Sequence, residues 1–255
     1  MSAARLMVLG ILAGAYIGFA AHLATSIATG HTDWTGARMF LTGSVFSFGL
    51  MLVIIPGSEL WTGNNLMVIS LLEKRITFGG MLRNWFWVYL GNFIGSLFIA
   101  AVIAWGTGLL DSPVGGTALN IAVMKLTAAP QNLDHNVAFF FRALACNWLV
   151  CLAVVMAAAA KDVAGKILGI FFPIMAFVAS GFEHSIANMY FLCAGIFAKG
   201  FDSAVAFSGL APERLALLNW ADIWTHNLIT VTLGNFAGGS LFVAAVYWWL
   251  CVRKD

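Results

Sequence analysis

Charged residues are scarce in this sequence: the 255 residues include 13 basic and 11 acidic side chains, 9% of the chain. Soluble proteins carry about 25% charged residues. Because 61% of the residues are hydrophobic, a water-soluble domain of this size would lack the polar side chains needed to cover its surface. The composition therefore excludes an ordinary soluble enzyme and a disordered chain, and it indicates an integral membrane protein.

Signals of a nucleic-acid partner, a metal site or a redox site are also missing. The formal net charge of +2 is too small to indicate nucleic-acid binding. The four cysteines lie in apolar runs without a CxxC pair, and the histidines lack the spacing of metal ligands. We therefore expect buried structural cysteines, no metal and no cofactor. The residues concerned are Cys146, Cys151, Cys193 and Cys251, and His22, His31, His135, His184 and His226.

Six apolar runs are long enough to cross a bilayer, which takes about 20 residues per helix. They cover residues 6–28, 38–72, 78–106, 137–160, 167–198 and 223–251. The even number of spans places both termini on the same side of the membrane. We expect one transmembrane domain over residues 1–255, with halves at about 1–108 and 137–255 and an extracytoplasmic linker at 109–136.

The distribution of basic residues favours cytoplasmic termini. More basic residues lie on the side of the termini than on the opposite side, and the basic residues of the short loops weigh most. We therefore expect a multi-pass protein of the inner (plasma) membrane. The residues on the side of the termini are Arg5, Lys74, Arg75, Arg83, Lys161, Lys166, Arg253 and Lys254, and those on the other side are Arg38, Lys125, Arg142, Lys199 and Arg214.

Spans two and five are each interrupted by a polar, glycine-containing stretch, at residues 56–65 and 179–188. Pro56 lacks a backbone donor and breaks the helix. In lipid, a broken backbone is tolerated only where it is buried in protein or lines a wet cavity. Each stretch contains one glutamate, Glu59 or Glu183, which indicates that the two breaks are partners in a repeat.

The two halves are also alike further along, where residues 84–95 match residues 227–238 at a constant offset of 143. Because each half holds three spans, the second half must run in the opposite sense, as an inverted repeat. Interrupted helices at corresponding positions of such repeats indicate a substrate path. Glycines four residues apart in both stretches allow close helix contact, within a subunit or between subunits. The matching residues are Asn84, Val88, Leu90, Gly91, Asn92, Phe93 and Gly95, and Asn227, Val231, Leu233, Gly234, Asn235, Phe236 and Gly238.

Ionisable groups at membrane depth are costly and usually have partners and a role. We interpret Glu59 and Glu183 as supports of half-helices, because they form a repeat pair and a carboxylate suits the backbone N–H groups of a helix N-terminus. His184 lies in a break beside Glu183, which favours a role in the substrate path. Thr62, in the other break, could hydrogen-bond to His184 across the pore.

Four stretches of the sequence resemble the formate/nitrite transporter family. They are residues 57–63 (GSELWTG), 84–93 (NWFWVYLGNF), 147–152 (NWLVCL) and 177–189 (FVASGFEHSIANM). They cover spans two to six in the family's order, and the last one is long and specific. The resemblance implies an all-α protomer of aquaporin-like layout, with spans two and five broken, in a homopentamer with one pore per protomer.

The resemblance also implies a set of pore residues. By motif position, His184 is the central histidine and Thr62 faces it. From sequence position alone, the aromatic residues beside the breaks are equally compatible with ordinary lipid-buried packing. The implied assignments are an outer constriction of Phe46, Trp61 and Phe177, an inner constriction of Leu50 and Leu60, and pore-side asparagines Asn147, Asn188 and Asn235.

Two features of the first half depart from the family pattern. Trp61 stands where phenylalanine is commoner, which would narrow the pore or shift its aromatic ring. Only residues 1–4 precede Arg5, so the short cytoplasmic helix that the resemblance implies is either lacking or truncated from this sequence.

The outer mouth also departs from the family pattern. Gln131 occupies the place of the family lysine, 16 residues before Asn147, and Lys125 precedes a similar sequence context. We expect Lys125 on the outer side, and Lys161 and Lys166 on the inner side, to attract the anion.

These observations favour a channel for small monovalent anions, most of all formate, over an enzyme. Proton-coupled passage is one form of this reading, and nitrite or hydrosulfide is an alternative cargo. An uncharged-solute channel lacks support, because the paired NPA motif of aquaporins is absent. An intramembrane hydrolase would need Ser58 or Ser185 to pair with His184, but the usual hydrolase motifs are absent.

Overall fold

The computed structural model describes residues 1–30, 35–128, 131 and 133–253. His31 and Lys254, which the sequence analysis names, lie outside the described residues. The described chain is all-helical. In order, its helices are α1 (Ala3–Ala28), α2 (Gly36–Ile54), α3 (Met67–Leu72), α4 (Phe78–Ala101), α5 (Pro113–Thr127), α6 (His135–Ala159), α7 (Val163–Ala179), α8 (Ser185–Ala198), α9 (Asp202–Ser208), α10 (Pro212–Ala216) and α11 (Ile229–Phe236).

Five of the described helical stretches are long and apolar enough to cross a bilayer by themselves: α1, α2, α6, and the extended spans Phe78–Gly106 and Trp224–Val252. The extensions of α4 and α11 are π-helical. They cover Val102–Gly106, Trp224–Leu228, Ala237–Ala245 and Trp248–Val252. We call the membrane side of the chain termini and of the loop at residues 73–77 the terminal face, and the opposite side the Lys125 face.

Spans two and five are interrupted where the sequence predicts. In span two, α2 ends at Ile54, and the chain resumes with the 3-10 turn Gly63–Leu66 and α3. In span five, α7 ends at Ala179 and α8 begins at Ser185. Gly57 and Gly181 open the two breaks with φ angles of +94° and +70°, a backbone conformation that glycine adopts without the clash of a Cβ atom.

The regularly spaced glycines make contacts within the chain. A Cβ atom at Gly95 would collide with the Ile11 carbonyl of α1, and one at Gly238 would collide with the Leu144 carbonyl of α6. The backbones of spans one and three, and of spans four and six, therefore touch. The sequence left open whether these contacts lie within or between subunits, and the fold places them inside one protomer.

The predicted linker at residues 109–136 contains a helix that the sequence analysis missed. Helix α5 begins at Pro113, and Ser112 caps it by accepting a hydrogen bond from the Val114 N–H at 3.2 Å. The 15 residues of α5 are too few to span a bilayer, so a search for 20-residue runs passes over them. The Ser-Pro pair is an ordinary helix-start signal. Helix α5 packs on α8 and α9 and carries Lys125 into the membrane-spanning bundle.

Candidate functional site

Asn92 and Asn235 hold the two breaks in the same way. The side-chain oxygen of each asparagine accepts a hydrogen bond from a backbone N–H in its break. The side-chain amide donates to the carbonyl of the break glutamate and to a carbonyl of span one or span four. The pairs are Trp61 N to Asn92 (2.9 Å), Asn92 to Glu59 O (3.0 Å) and to Gly10 O (2.8 Å), and Ser185 N to Asn235 (2.8 Å), Asn235 to Glu183 O (2.9 Å) and to Ala143 O (2.8 Å).

These matched bonds fix the alignment of the two breaks. Glu59 corresponds to Glu183 at an offset of 124, and the next residues along, Leu60 and His184, correspond to each other. The site therefore has one imidazole, at a place where the other half carries an aliphatic side chain.

The His184 ring is buried and both of its nitrogens have partners. The Ala187 N–H donates to Nδ1 at 3.1 Å, so His184 is the N-cap of α8. Nδ1 must then offer a lone pair, which leaves the proton of a neutral ring on Nε2. Nε2 lies 2.9 Å from Thr62 Oγ1, and the N–H donates to that oxygen. The hydroxyl proton of Thr62 is then available to an acceptor in the path.

The backbone of Thr62 is held by three donors from two elements, the 3-10 turn and α6. Its carbonyl accepts from Asn65 and from Asn147 of α6, each at 3.2 Å, and from the Cys151 thiol at 3.5 Å. Ser240, in a π-helical segment of span six, donates to the side-chain oxygen of Asn65 at 2.9 Å. Sequence reasoning missed Asn65 and Ser240, whose residue types are unremarkable outside the folded site.

A cavity of about 420 Å³ opens above His184 toward the Lys125 face. Phe46 and Phe177 line it and meet edge to face, with ring centroids 5.9 Å apart. Phe177 also stacks on the His184 ring, with centroids 5.9 Å apart and planes 23° apart. Two arginines that sequence reasoning left unassigned, Arg38 and Arg142, line the same cavity.

Trp61 packs apart from Phe46 and Phe177, the two residues grouped with it in the implied outer constriction. Its indole packs edge to face on Trp85 and Tyr89. It lines a second, apolar cavity of about 520 Å³ between spans three and six, and it does not line the cavity that Phe46 and Phe177 share. Because Asn92 anchors the Trp61 backbone, the side chain points to that side of the break.

The remaining predicted residues are spread over the fold. Leu50 and Leu60 are buried in the core without lining the cavity above His184. Asn188 lines that cavity. Asn147 and Asn235 do not line it, and each donates a hydrogen bond to a backbone carbonyl of a break, that of Thr62 or Glu183. Lys161 is exposed, and Lys166 is half-buried in the first turns of α7. Neither lysine lines a described cavity.

The break glutamates bind asparagine amides, and this differs from the expected backbone N–H contacts. Glu59 Oε2 accepts from Asn64 at 2.6 Å, and Glu183 Oε2 accepts from Asn188 at 2.6 Å. At the N-terminus of α8 it is His184, and no carboxylate, that caps the helix. The sequence repeat did contain a signal for this network, because Asn84 and Asn227 form its second layer.

Lys125 is paired with a carboxylate. Its Nζ lies 3.0 Å from Glu183 Oε2 and 5.2 Å from the Phe191 ring centroid. The Asn227 amide donates to the Lys125 carbonyl at 2.7 Å, so the backbone of this residue is fixed as well. The sequence predicts that Lys125 attracts anions. In the structure its ammonium group is already paired with the Glu183 carboxylate.

No serine is bonded to His184 in the part of the chain that the structure describes. Thr62 and Ala187 take its two nitrogens, and Ser58 donates to the Val53 carbonyl. The described ranges also hold no group of three His, Cys, Asp or Glu side chains that could bind a metal ion.

Comparison with known proteins gives consistent matches along the chain. The sequence model of the formate/nitrite transporter family matches residues 1–249. A probable formate transporter of Methanothermobacter thermautotrophicus is 41% identical, over 98% of this chain and 90% of that protein. The formate channel FocA of Haemophilus influenzae is 40% identical, over 92% and 82% of the two chains.

Solved structures give the same result for the fold. A pentameric formate channel with formate bound superposes with a TM-score of 0.84 at 35% identity, covering 98% of both chains. An ion channel of the same family superposes with a TM-score of 0.81 at 34% identity, covering 96% of this chain and 89% of that one. The chain belongs to the formate/nitrite transporter family.

Proposed function

We propose that this protein is a membrane channel for small monovalent anions and that formate is its cargo. The observation that carries the proposal is the hydrogen bond between Thr62 and His184, buried between the two interrupted spans at the floor of a cavity. Relatives over 92% or more of the chain are described as formate channels or transporters, which supports formate as the first cargo to test.

The proposed path begins in the cavity on the Lys125 face. Phe46 and Phe177 form an aromatic lid over His184, and the anion must lose water to pass it. Moving an ion from water into an apolar environment costs several kcal/mol, about 20 in the idealised limit, so the path needs donors directly behind the lid. The Thr62 hydroxyl is one donor, and the positive end of the α8 dipole, which begins at Ser185, adds a favourable potential.

Of the two roles considered for His184, the geometry favours hydrogen bonding over proton donation. A neutral ring that gave up its Nε2 proton would become an anion. A doubly protonated ring would turn an Nδ1–H toward the Ala187 N–H, which now donates to that nitrogen. In our proposal, His184 orients the Thr62 hydroxyl toward the anion, and any proton that crosses enters with the anion as the neutral acid.

The other residues complete the path. We assign the narrowing on the inner side to Leu50 and Leu60, and the attraction of anions at that mouth to Lys161 and Lys166. We place both termini in the cytoplasm and the protein in the inner membrane, because Lys161 and Lys166 lie in a short loop on the terminal face. We propose a homopentamer on the strength of the pentameric relative, to be tested by native mass spectrometry.

The function is tested by anion flux into liposomes that contain the purified protein. We expect uptake of formate and exclusion of chloride, with nitrite and hydrosulfide measured beside it. His184→Phe should abolish formate uptake while leaving the oligomer intact. Unchanged flux and unchanged pH dependence in His184→Phe would refute the role of this residue. A wild-type protein that carries nitrite or hydrosulfide but no formate would refute the choice of cargo.

A further inference from the structure

Basic side chains outnumber carboxylates around the cavity that opens toward the Lys125 face. Among the described residues that line it, Arg38, Lys125 and Arg142 are basic, and Glu183 is the only acidic one. The ammonium of Lys125 lies 3.0 Å from the Glu183 carboxylate, so these two charges compensate each other. The excess positive charge of the cavity lining therefore comes from arginine side chains.

Arg142 is held in place at three points. Its carbonyl accepts from the Glu183 N–H at 3.3 Å, and its Nη1 donates at 3.0 Å to the carbonyl of Ala128, just past the end of α5. Its guanidinium carbon lies 5.3 Å from the ring centroid of Phe139, one turn earlier on α6, which is a cation–π contact. Because α6 begins on the Lys125 face, the side chain runs from the level of the second break toward the mouth of the cavity.

Most of the hydrogen-bonding capacity of the Arg142 guanidinium is unused. A guanidinium carries several N–H donors in one plane, and the Ala128 carbonyl takes one of them. In the part of the chain that the structure describes, the Arg142 side chain forms no ion pair and no second hydrogen bond. The residue is half-buried, and none of its nitrogens is sealed from solvent without a partner. The cation therefore presents open N–H groups to the cavity from a fixed position.

A fixed guanidinium distinguishes anions by their shape. Its N–H groups form parallel pairs that match two oxygens in one plane, and such bidentate contacts are stronger and more specific than single ones. Formate, other carboxylates and nitrite all present two oxygens in a plane. Hydrosulfide and chloride present a single centre, which a guanidinium meets only as a point charge. An arginine in the cavity therefore favours the planar oxyanions.

Arg142 lies farther out along the proposed path than the pair of Thr62 and His184. Asn147 follows Arg142 by five residues on α6, about 7–8 Å at 1.5 Å per residue, and it donates to the Thr62 carbonyl at 3.2 Å. The guanidinium reaches in the other direction, toward the mouth. An anion that enters from the Lys125 face therefore meets Arg142 before it meets Thr62.

We propose that Arg142 is a docking site for planar oxyanions, in which its guanidinium binds two oxygens of the anion before the anion reaches the Thr62 hydroxyl. This site deepens the proposed function and rests on it. Binding is reversible, and no covalent bond forms or breaks. The attraction of anions at this mouth then belongs to Arg142, since Lys125 is paired with Glu183. The channel should saturate at lower concentrations of formate or nitrite than of hydrosulfide.

The first test measures initial anion uptake into liposomes that contain the full-length protein, over a range of anion concentrations. Arg142→Lys keeps the positive charge and loses the planar pair of donors. We expect the half-saturating concentration of formate, and that of nitrite, to rise about fivefold to tenfold, as for the loss of one charge-assisted hydrogen bond in a wet site. The maximal rate should change little, and hydrosulfide should keep its half-saturating concentration.

Arg214→Lys is the matched control for this substitution. Arg214 is an exposed residue of α10 on the same face of the membrane, and it does not line the cavity. The control variant should have the half-saturating concentrations of the wild type for all three anions.

A second measurement needs neither a variant nor flux. Phenylglyoxal modifies accessible arginine side chains, and mass spectrometry of the digested protein locates the modified residues. Formate added to the detergent-solubilised wild type should slow the modification of Arg142 and leave that of Arg214 unchanged. Chloride at the same concentration should slow neither. This measurement decides alone if Arg142→Lys fails to assemble.

The inference is overturned if Arg142→Lys keeps the wild-type half-saturating concentration of formate, or if formate and hydrosulfide shift equally. Equal modification of Arg142 with and without formate would overturn it as well. Failure of the proposed function gives a different result, because a wild-type protein that carries neither formate nor nitrite refutes the anion path itself, whatever the modification of Arg142 shows.

Discussion

Thr62 Oγ1 and His184 Nε2 lie 2.9 Å apart, across 122 residues of sequence and between the two halves of the protein. The Thr62 carbonyl is held by Asn65 of its own half and by Asn147 of the other half, and the His184 ring is held by the Ala187 N–H of its own half. The site therefore depends on contacts between the two halves, and we expect substitutions in either break to change anion flux.

Removing the Thr62 hydroxyl should slow formate more than it destabilises the protein. Thr62→Val keeps the shape of the side chain and loses the donor, and a hydrogen bond to a charged group contributes about 1.5–3 kcal/mol. We expect formate flux in liposomes to fall roughly 10- to 100-fold. Thr62→Ser retains the hydroxyl and should keep most of the flux. Equal activity of the valine and serine variants would contradict this role.

Opening the aromatic lid should relax size selection. Phe177 stacks on His184 and meets Phe46 edge to face, so Phe177→Leu would remove ring area from the path and keep an apolar side chain. We expect acetate and lactate to enter several-fold faster in liposome flux. Phe172→Leu, on the same helix and 57% exposed, is the matched control. If both variants exclude lactate as the wild type does, the lid does not select for size.

Breaking the ion pair between Lys125 and Glu183 should cost more than removing it whole. Lys125→Met leaves a buried carboxylate without its cation, which costs about 3–5 kcal/mol and should lower the thermal midpoint of the detergent-solubilised protein. The double variant Lys125→Met with Glu183→Gln should recover most of the loss. If the fall in thermal midpoint of the double variant equals the sum of the falls of the two single variants, the two groups do not interact.

The helix crossings should not tolerate added atoms. A Cβ at Gly238 would collide with the Leu144 carbonyl and lie 3.1 Å from the backbone nitrogen of Trp148. Gly238→Ala should therefore destabilise the protein by about 1–3 kcal/mol. Gly106→Ala is the control, since its Cβ would meet only Val102 at 3.6 Å. Thermal unfolding in detergent compares the two. Equal midpoints would show that the crossing between α6 and span six can relax.

Much of the fold could be read from the sequence, because lipid allows few backbone solutions. Apolar length predicts the spans, and Gly57 and Gly181 lie in the two breaks that polar residues mark. Helix α5 was missed because it is shorter than a span, although Ser112 and Pro113 signal its beginning. It brings Lys125 to Glu183, a contact that no local pattern encodes.

The partners of the site residues could be predicted only in part. The asparagines that match at an offset of 143 indicated the repeat. Only the tertiary structure shows that Asn92 and Asn235 accept hydrogen bonds from backbone N–H groups of the two breaks. The direction of the Trp61 side chain also needed it, because a break has no fixed periodicity from which to infer which side each residue faces. Asn65 and Ser240 lie 175 residues apart and carry no motif of their own.

The sequence by itself determined a membrane protein of six spans, with two of them interrupted and with the halves in opposite senses. These features follow from apolar length, backbone hydrogen bonding in lipid and an odd number of spans in each half. The tertiary structure decided that the glycine crossings lie within one protomer, that Leu60 is the counterpart of His184, and that one of two equivalent glutamates is neutralised. The reason is physical: periodicity is local, whereas close packing and ion pairing depend on distances between residues far apart in the chain.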